Sequence, residues 1–357
     1  MSASNRYIRQ TSLKDFGLQG QQALAKAKVL VVGAGGLGVP VLQYLNAMGV
    51  GTLGIVEEDV VDISNLQRQV IYKETEIGKS KLASTIAFLK ERNTETELIP
   101  FHTYLSRENA LDIIKDFDIV VDASDNFATR YLINDACVIL NKPFVYGALQ
   151  GFEGQVAVFN YQDGPTYRCV FPKAPTEREI PNCNENGVLG IIPGIIGNFQ
   201  ALEVVKLITQ IGEINKNKLF IYNGLTNSIL KINLSTNPAN KERSELENHY
   251  AVPNCQLSSE VTAATFSELI SNKKDILILD VRTVQEFEDE HIPNSVNIPL
   301  LKLTGTTTEF SKNQDIYIIC QSGQRSKQAL PILQEQYPNN NCFSVQGGLN
   351  AYFSVCL

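Results

Sequence analysis

The sequence predicts an α/β protein in two parts: a doubly wound parallel sheet extended by antiparallel strands, then a smaller α/β domain. Three observations carry this. Short apolar runs alternate with helical patterns between residues 29 and 147; hairpin-type strands take over after residue 155; and a polar stretch near residue 240 precedes a fresh strand and helix alternation. A chain of 357 residues is long for one core and comfortable for two.

Taken in order, Arg6-Tyr7-Ile8-Arg9-Gln10 leads into a short amphipathic helix ending near Ala27, read as a packing arm. Val29-Leu30-Val31-Val32 is a buried strand, followed by Gly33-Ala34-Gly35-Gly36-Leu37-Gly38 and a helix ending near Met48. Strand, glycine turn and helix suit a phosphate, because glycines let the backbone approach the anion and the helix N-terminus offers free N–H groups. The next strand, 53–56, ends at Glu57, placed to accept hydrogen bonds from a ribose. A loop to residue 72, a helix over 79–92, a strand over 98–101 and a helix over 107–115 follow. The strand over 118–121 delivers Asp122-Ala123-Ser124-Asp125-Asn126 to the crevice at the carboxyl ends of the strands. A helix over 127–140 and a strand over 143–147 complete the alternation. Residues 155–161 then alternate as a strand, residues 191–211 form a long apolar helix, and 219–222 pairs with 229–234 across Asn223-Gly224.

Residues 171–190, with three prolines and Asn182-Cys183-Asn184, read as a mobile loop. Polarity dominates from about residue 235 to 258, without a core face. The boundaries drawn are 1–240 for the first domain, 241–258 for a linker and 259–357 for the second domain, with strands at 276–279 and 316–319 and a helix at 266–271.

Net charge is −7, and the 31 Lys plus Arg and three His form no basic block, which excludes a nucleic-acid groove as the main business of the protein. The first residues lack an apolar core, and no run of eighteen apolar residues occurs, so neither export nor a membrane is expected and the location predicted is cytoplasmic. Seven cysteines with no Cys-x-x-Cys pair read as free thiols.

Up to Glu57 the pattern fits a dinucleotide-binding Rossmann enzyme. Ser64-Asn65-Leu66-Gln67-Arg68-Gln69 argues for more: amides and a guanidinium beyond the ribose carboxylate, where a triphosphate has charge left to hold. Lys81 opens a helix and Asp125 ends a strand, giving two cations and a carboxylate, the set that phosphoryl displacement needs for charge neutralisation and for Mg²⁺. Singly each is a surface residue or a helix cap; the joint spacing is specific.

Through Arg6-Tyr7-x-Arg9-Gln10, the glycine turn, Ser64-Asn65-Leu66-x-Arg68-Gln69, Lys81, Asp122-x-x-Asp125-Asn126-x-x-x-Arg130, Glu153-Gly154-Gln155 and Tyr167-Arg168-Cys169, the chain resembles the MoeB/ThiF adenylyltransferases, bacterial relatives of ubiquitin-activating enzymes. The resemblance covers about residues 5–234. It implies a Rossmann-like ATP-binding domain in which Gly35 and Gly36 lie against the nucleotide and Glu57 binds ribose. Ser64, Asn65, Leu66, Gln67, Arg68 and Lys81 hold phosphates; Asn126 stands beside Asp125, which binds Mg²⁺. Arg9 reaches into the neighbouring subunit of a homodimer. The implied reaction joins the C-terminal Gly-Gly carboxylate of a ubiquitin-like carrier protein to the α-phosphate of ATP.

Three departures stand out. The family usually has Asp where this chain has Glu57. Many members hold zinc with two Cys-x-x-Cys pairs; here the first pair is Thr166 and Cys169 and the second is missing, so no zinc is expected, and neither Cys255 nor His249 has a spacing that would supply it. Cys183 aligns with a cysteine that some relatives use for a covalent link to the carrier, and the sequence leaves that role open.

The second domain holds Leu279-Asp280-Val281-Arg282, Glu286, His291-Ile292-Pro293 and Cys320-Gln321-Ser322-Gly323-Gln324-Arg325-Ser326. A cysteine between a buried strand and a helix start faces backbone N–H groups that favour an anionic persulfide, while Cys342 and Cys356 read better as buried structural thiols. The segment is similar to rhodanese-type sulfurtransferases, down to Gly347-Gly348. Gln321 replaces a commonly basic residue there, and Pro331 is expected to interrupt the following helix.

Together the resemblances imply one pathway: adenylation activates the carrier, and a Cys320 persulfide, charged by a donor such as a cysteine desulfurase, supplies sulfur for a thiocarboxylate. Such products feed molybdopterin, thiamine or tRNA thiolation chemistry, and the sequence does not choose among them. Two rival readings fit the residues less well. A nicotinamide-dependent oxidoreductase leaves Arg68, Lys81 and the Cys320 loop unused; a non-catalytic scaffold would need a broken phosphate set, yet Arg68, Lys81 and Asp125 are all present.

Overall fold

The computed structural model describes residues 5–174, 187–248, 250, 260–271, 276–305, 314–337 and 340–355. The chain divides into two compact units, Met1–Pro253 and Asn254–Leu357.

The first unit begins with α1 (Ile8–Thr11) and α2 (Gly17–Lys26), then β1 (Lys28–Val32), α3 (Gly38–Met48), β2 (Thr52–Val56), α4 (Lys81–Arg92), β3 (Glu97–Phe101), α5 (Ala110–Ile114), β4 (Ile119–Asp122), α6 (Phe127–Ile139) and β5 (Phe144–Gln150). Antiparallel β6 (Glu153–Phe159) follows, then α7 (Tyr167–Val170), α8 (Ile191–Thr209), β7 (Lys218–Asn223) and β8 (Ser228–Asn233). The strands lie in the order β3-β2-β1-β4-β5-β6-β7-β8, parallel as far as β5 and antiparallel beyond it. This is a Rossmann-like sheet with an antiparallel extension. Chain order reverses between β1 and β4, whose carboxyl ends, Val32 and Asp122, are register partners. A doubly wound sheet opens its ligand crevice at that point.

Both faces of the central strands β1, β2 and β4 are covered, which is why these strands are apolar nearly throughout. Along β1 alternate residues go to opposite cores: Val29 and Val31 pack with Leu42 and Leu45 of α3, while Leu30 and Val32 pack with Ile133 and Cys137 of α6. Among the described residues α8 is the one helix long and apolar enough to cross a membrane by length and composition. Its Ile192, Ile196, Ala201, Val204 and Val205 are buried in the core beside α3 instead.

The predicted helix over 107–115 is shorter, because the Asn109 side chain accepts the Ser106 N–H at 2.8 Å and holds the approach as a turn. The polar stretch after β8 also has more structure than its composition suggests. Leu246 and Tyr250 pack against the α6 side of the core, and the Tyr250 hydroxyl donates to the fully buried Asp135 at 2.9 Å. Its anchor is charge as much as apolar contact, and charge leaves no periodic trace in sequence.

The second unit contains β9 (Glu260–Val261), α9 (Ala263–Ser271), β10 (Ile276–Asp280), α10 (Val284–Asp289), β11 (Val296–Asn297), β12 (Asp315–Ile319), α11 (Gln324–Gln336), β13 (Cys342–Val345) and α12 (Gly348–Val355). Its sheet, β11-β10-β12-β13-β9, is wholly parallel. Phe266, Tyr317 and Leu349 fill one face, and Ile316, Ile318, Ala329 and Leu333 the other. One expectation is overturned here: Pro331 does not interrupt its helix, which runs on to Gln336. A proline removes one hydrogen bond at a cost of about 3 kcal/mol, and buried Ala329 and Leu333 on either side of it hold the helix to the sheet.

Candidate functional site

The glycine turn joins β1 to α3. Gly33 has φ +100°, and a methyl group there would sit 2.8 Å from the Ala123 carbonyl, so the turn closes on the β4 loop only because Gly33 lacks one. The Ala34 N–H donates to Glu57 Oε2 at 2.9 Å, while Glu57 Oε1 accepts from the Glu58 and Asp59 N–H groups at 3.0 and 2.8 Å. Glu57, 8% exposed, therefore ties the turn to the end of β2. Each carboxylate oxygen has two acceptor sites, so capacity for a ribose remains.

Beyond β2 a compact turn is built on Asp62, whose Oδ1 accepts from the Ser64 N–H at 2.8 Å and the Ser64 hydroxyl at 2.6 Å. Asn65 returns its amide oxygen to the Asp62 N–H at 3.2 Å, and Leu66 packs against a small cluster of Val39, Val61, Ile71 and Tyr72. The turn aims Arg68 across the glycine loop: its guanidinium donates to the Ser64 carbonyl at 2.9 Å, and a methyl on Gly36 would meet its Cδ at 3.5 Å. Gln67 lies against Gly190 at the start of α8. Gln69 is buried beside Gly35 with no partner for Oε1 among the described residues. A buried orphan acceptor next to a phosphate-type turn suits a ligand or water, in line with the place the sequence gives Gln69 at the end of the Ser64–Gln69 run.

Lys81, the first residue of α4, has a side chain 7% exposed, and its ammonium donates to Asp59 Oδ2 at 3.1 Å. On the other side of the crevice, Asp125 is exposed after β4 and its carboxylate bonds to no described residue; Asn126 caps α6 by accepting the Thr129 N–H at 2.9 Å. Beneath them Asp122 is fully buried, which pushes its carboxyl up; its Oδ1 accepts from Ser124 N–H and hydroxyl. Arg130 spans from the Ser124 carbonyl, at 3.4 Å, to the Phe127 and Tyr146 rings. Gly35, Gly36, Glu57, Arg68, Lys81, Asp125 and Asn126 thus sit on the turns and helix starts that border one crevice. Arg9 does not join them: α1 is exposed at Arg9, and neighbouring Gln10 donates to the Met48 carbonyl at 3.0 Å, at the far end of α3. Cys183 lies outside the described residues, as do Cys255, Cys356 and His249.

The zinc position can be tested on its residues. Cys169 Sγ accepts from the Thr166 N–H at 3.4 Å, the Asn237 N–H at 3.3 Å and Asn240 Nδ2 at 3.7 Å, with the Thr166 hydroxyl at 3.3 Å. Two x-x-spaced pairs meet there, Thr166 with Cys169 and Asn237 with Asn240, and together they offer a single thiol. That set does not fit a tetrahedral zinc. Partial burial pushes the Cys169 thiol up, but hydrogen bonds from Thr166, Asn237 and Asn240 outweigh it and bring it below the usual range. Alongside, Asp135 accepts the Arg168 fork at 2.7 and 2.8 Å and Arg243 at 3.3 Å, and Glu247 accepts from both arginines.

In the second unit Cys320 follows β12 and is 1% exposed. Burial therefore does not separate it from Cys342, also buried, whose thiol burial pushes up to about 11. What separates it is the loop. The Ser326 N–H donates to Cys320 Sγ at 3.4 Å, the Ser326 hydroxyl bonds to the Gly323 carbonyl, and Gly323 takes φ +85° to start α11. Gln321 has an explanation: its Oε1 accepts from Arg282 at 3.1 Å and its Nε2 donates to Asn350 at 2.7 Å, so a basic residue here would face another cation. Arg282 is itself forked onto Asp280, and Arg325 onto Glu286. Ser322 and Gln324 complete the loop.

Residues 7–244 match the ThiF family and residues 262–354 the Rhodanese-like domain. Over 97% of its length the chain is 37% identical to the adenylyltransferase and sulfurtransferase MOCS3 of Xenopus laevis, covering 85% of that protein. The Sus scrofa protein of the same name is 38% identical over 97% of this chain and 85% of its own length. Among solved structures, E. coli MccB with ATP superposes with a TM-score of 0.59 at 22% identity, over 66% of this chain and 73% of that one, which shows the shared fold. The extent of these matches, over a chain that carries both the glycine crevice and the Cys320 loop, places it plainly: it belongs to the ThiF family, as an adenylyltransferase and sulfurtransferase with a rhodanese-like domain after its ThiF domain.

Proposed function

We propose that the first unit adenylates the C-terminal Gly-Gly carboxylate of a ubiquitin-like sulfur-carrier protein with ATP, and that Cys320 then delivers sulfur to the activated carbonyl. The observation that carries the reading is the crevice itself. Supporting it are a glycine turn at the β1/β4 switch point, an acceptor at Glu57, cations at Arg68 and Lys81 on the turn and helix that follow β2, and an exposed carboxylate at Asp125 after β4. A carboxylate is a poor electrophile until a leaving group is attached. Attack on the α-phosphorus expels pyrophosphate, and in this reading Arg68 and Lys81 meet the charge that develops there. Asp125 suits Mg²⁺, having an exposed carboxylate that bonds to none of the described residues; the ion when bound would neutralise phosphate charge. The oxidoreductase reading leaves both cations idle, and family membership disfavours it.

For sulfur transfer, the terminal sulfur of a Cys320 persulfide attacks the acyl carbon and AMP leaves with the bonding pair. A thiol then cleaves the acyl disulfide, releasing the thiocarboxylate and leaving Cys320 in a disulfide with that thiol. A persulfide donor suits this loop because Arg282 and Arg325 are already neutralised by carboxylates. The assembly proposed is a homodimer in which Arg9 serves the partner's crevice. Supporting this, Arg9 stands near the end of α3 opposite its own glycine turn, about 16 Å of helix rise away.

ATP–pyrophosphate exchange with candidate Gly-Gly carriers tests the reading. Exchange should depend on the carrier and be abolished by Asp125→Ala, whereas Cys320→Ala should keep exchange and lose thiocarboxylate. Near-normal exchange in Asp125→Ala, or parental thiocarboxylate from Cys320→Ala, would refute the corresponding assignment.

A further inference from the structure

The crevice contains a residue that no motif reading singled out. Asp59 lies two residues beyond Glu57, and its backbone and side chain are both engaged. Its N–H donates to Glu57 Oε1 at 2.8 Å, its carbonyl accepts the Lys81 N–H at 2.9 Å, and its Oδ2 accepts the Lys81 ammonium at 3.1 Å. The other carboxylate oxygen accepts the Tyr104 hydroxyl at 2.6 Å. One residue therefore links the acceptor proposed for ribose to the cation proposed for phosphate, and Tyr104 braces it from the loop after β3.

The chemistry follows from burial. The Lys81 side chain is 7% exposed, and Asp59 is its one hydrogen-bond partner among the described residues. A buried ammonium needs a counter-charge to hold it in one position, or it swings to water. With Asp59 on one N–H, the other two have no partner among the described residues, and their directions are set by the bond already made. Asp59 has side-chain exposure of 42%, so it faces the crevice without being enclosed by it. Tyr104 matters because a carboxylate anchored at both oxygens cannot rotate away with the lysine.

We propose that Asp59 is a positioning residue for the adenylation step: held by Tyr104, it fixes the Lys81 ammonium in place and aims it at the triphosphate. This rests on the adenylation reading above. Asp59→Asn preserves shape and removes the charge. It should lower kcat of carrier-dependent exchange about tenfold or more while KM for ATP moves less than about threefold, because the interaction lost is one made in the transition state. A residue acting only through Lys81 adds nothing once Lys81 is gone, so in a Lys81→Ala chain the same change should cost no more than about twofold. Tyr104→Phe should lower kcat about threefold, again with no further loss on Lys81→Ala. Should Asp59→Asn not yield folded protein, Tyr104→Phe alone decides by the same criterion. The proposal is overturned if kcat survives within about twofold, or if the losses multiply in the double variants. Those results leave exchange by the parent chain intact; a parent chain that shows no exchange with any Gly-Gly carrier removes the adenylation reading and this inference together.

Discussion

At the scale of single residues, the end of the Cys320 loop is set by one ion pair. Arg325 presents both terminal nitrogens to Glu286, each at 2.7 Å, and Glu286 also accepts from the Thr283 N–H and hydroxyl while opening α10. The Arg325 bond, then those from Thr283, hold the Glu286 carboxyl well below its ordinary value of 4.5. A carboxyl depressed in the folded state stabilises fully above its unfolded value and loses that contribution as pH falls through the folded one. Thermal unfolding of the second unit should therefore be insensitive to this pair from neutrality down to about pH 4.5 and become less stable below it. Both side chains are about a third exposed, so the effect is modest. Glu286→Gln should remove that part of the acid-side decline; an unchanged profile in the variant would show that the pair contributes nothing.

Elements show what the sequence could and could not disclose. Local order was readable: the glycine turn, the strand that ends in Glu57 and the run from Ser64 to Gln69 fall within forty residues of one another, and their periodicity and turn chemistry are local properties. The knot between α7 and the turn at Pro238–Lys241 was not. It joins residues 68 positions apart, and a thiol meeting amides has no composition signal. The buried Asp135 with Arg168, Arg243 and Tyr250 is equally long-range, so the stretch that carries Arg243 and Tyr250 read as polar and coreless. Asp59 was invisible for a related reason, since only the fold brings it to Lys81. Cys169 gives this scale its prediction. In place of a metal, the knot fastens the chain after β8 to α7 by hydrogen bonds to the Cys169 sulfur, the same bonds that bring its thiol below the usual range. Cys169→Ala should lower the melting temperature of the first unit, and chelators should leave the parent unchanged. Metal analysis of protein purified without chelator should find far less than one zinc per chain; stoichiometric zinc would overturn the account.

At the scale of the whole molecule, the position of Arg9 becomes a question about assembly. Arg68 and Lys81 are the cations proposed for its own crevice, and α1 is fastened through Gln10 to the end of α3 farthest from the glycine turn. If Arg9 acts on the nucleotide at all, a second copy must bring the two together, and a twofold pair is the simplest closed arrangement. The argument can be tested without a structure of the pair. Arg9→Ala and Asp125→Ala chains should each be inactive in carrier-dependent exchange. Co-expressed in equal amounts they form mixed dimers, in which one crevice takes Arg9 from one chain and Asp125 from the other and is intact, while the second carries both defects. Half of the dimers are then mixed and half of their crevices work, so activity should return to about a quarter of the parent rate. Complementation near that fraction requires Arg9 to act across the interface. If Arg9 served its own crevice, every crevice in the mixture would carry one lesion and activity would stay at the level of the single variants.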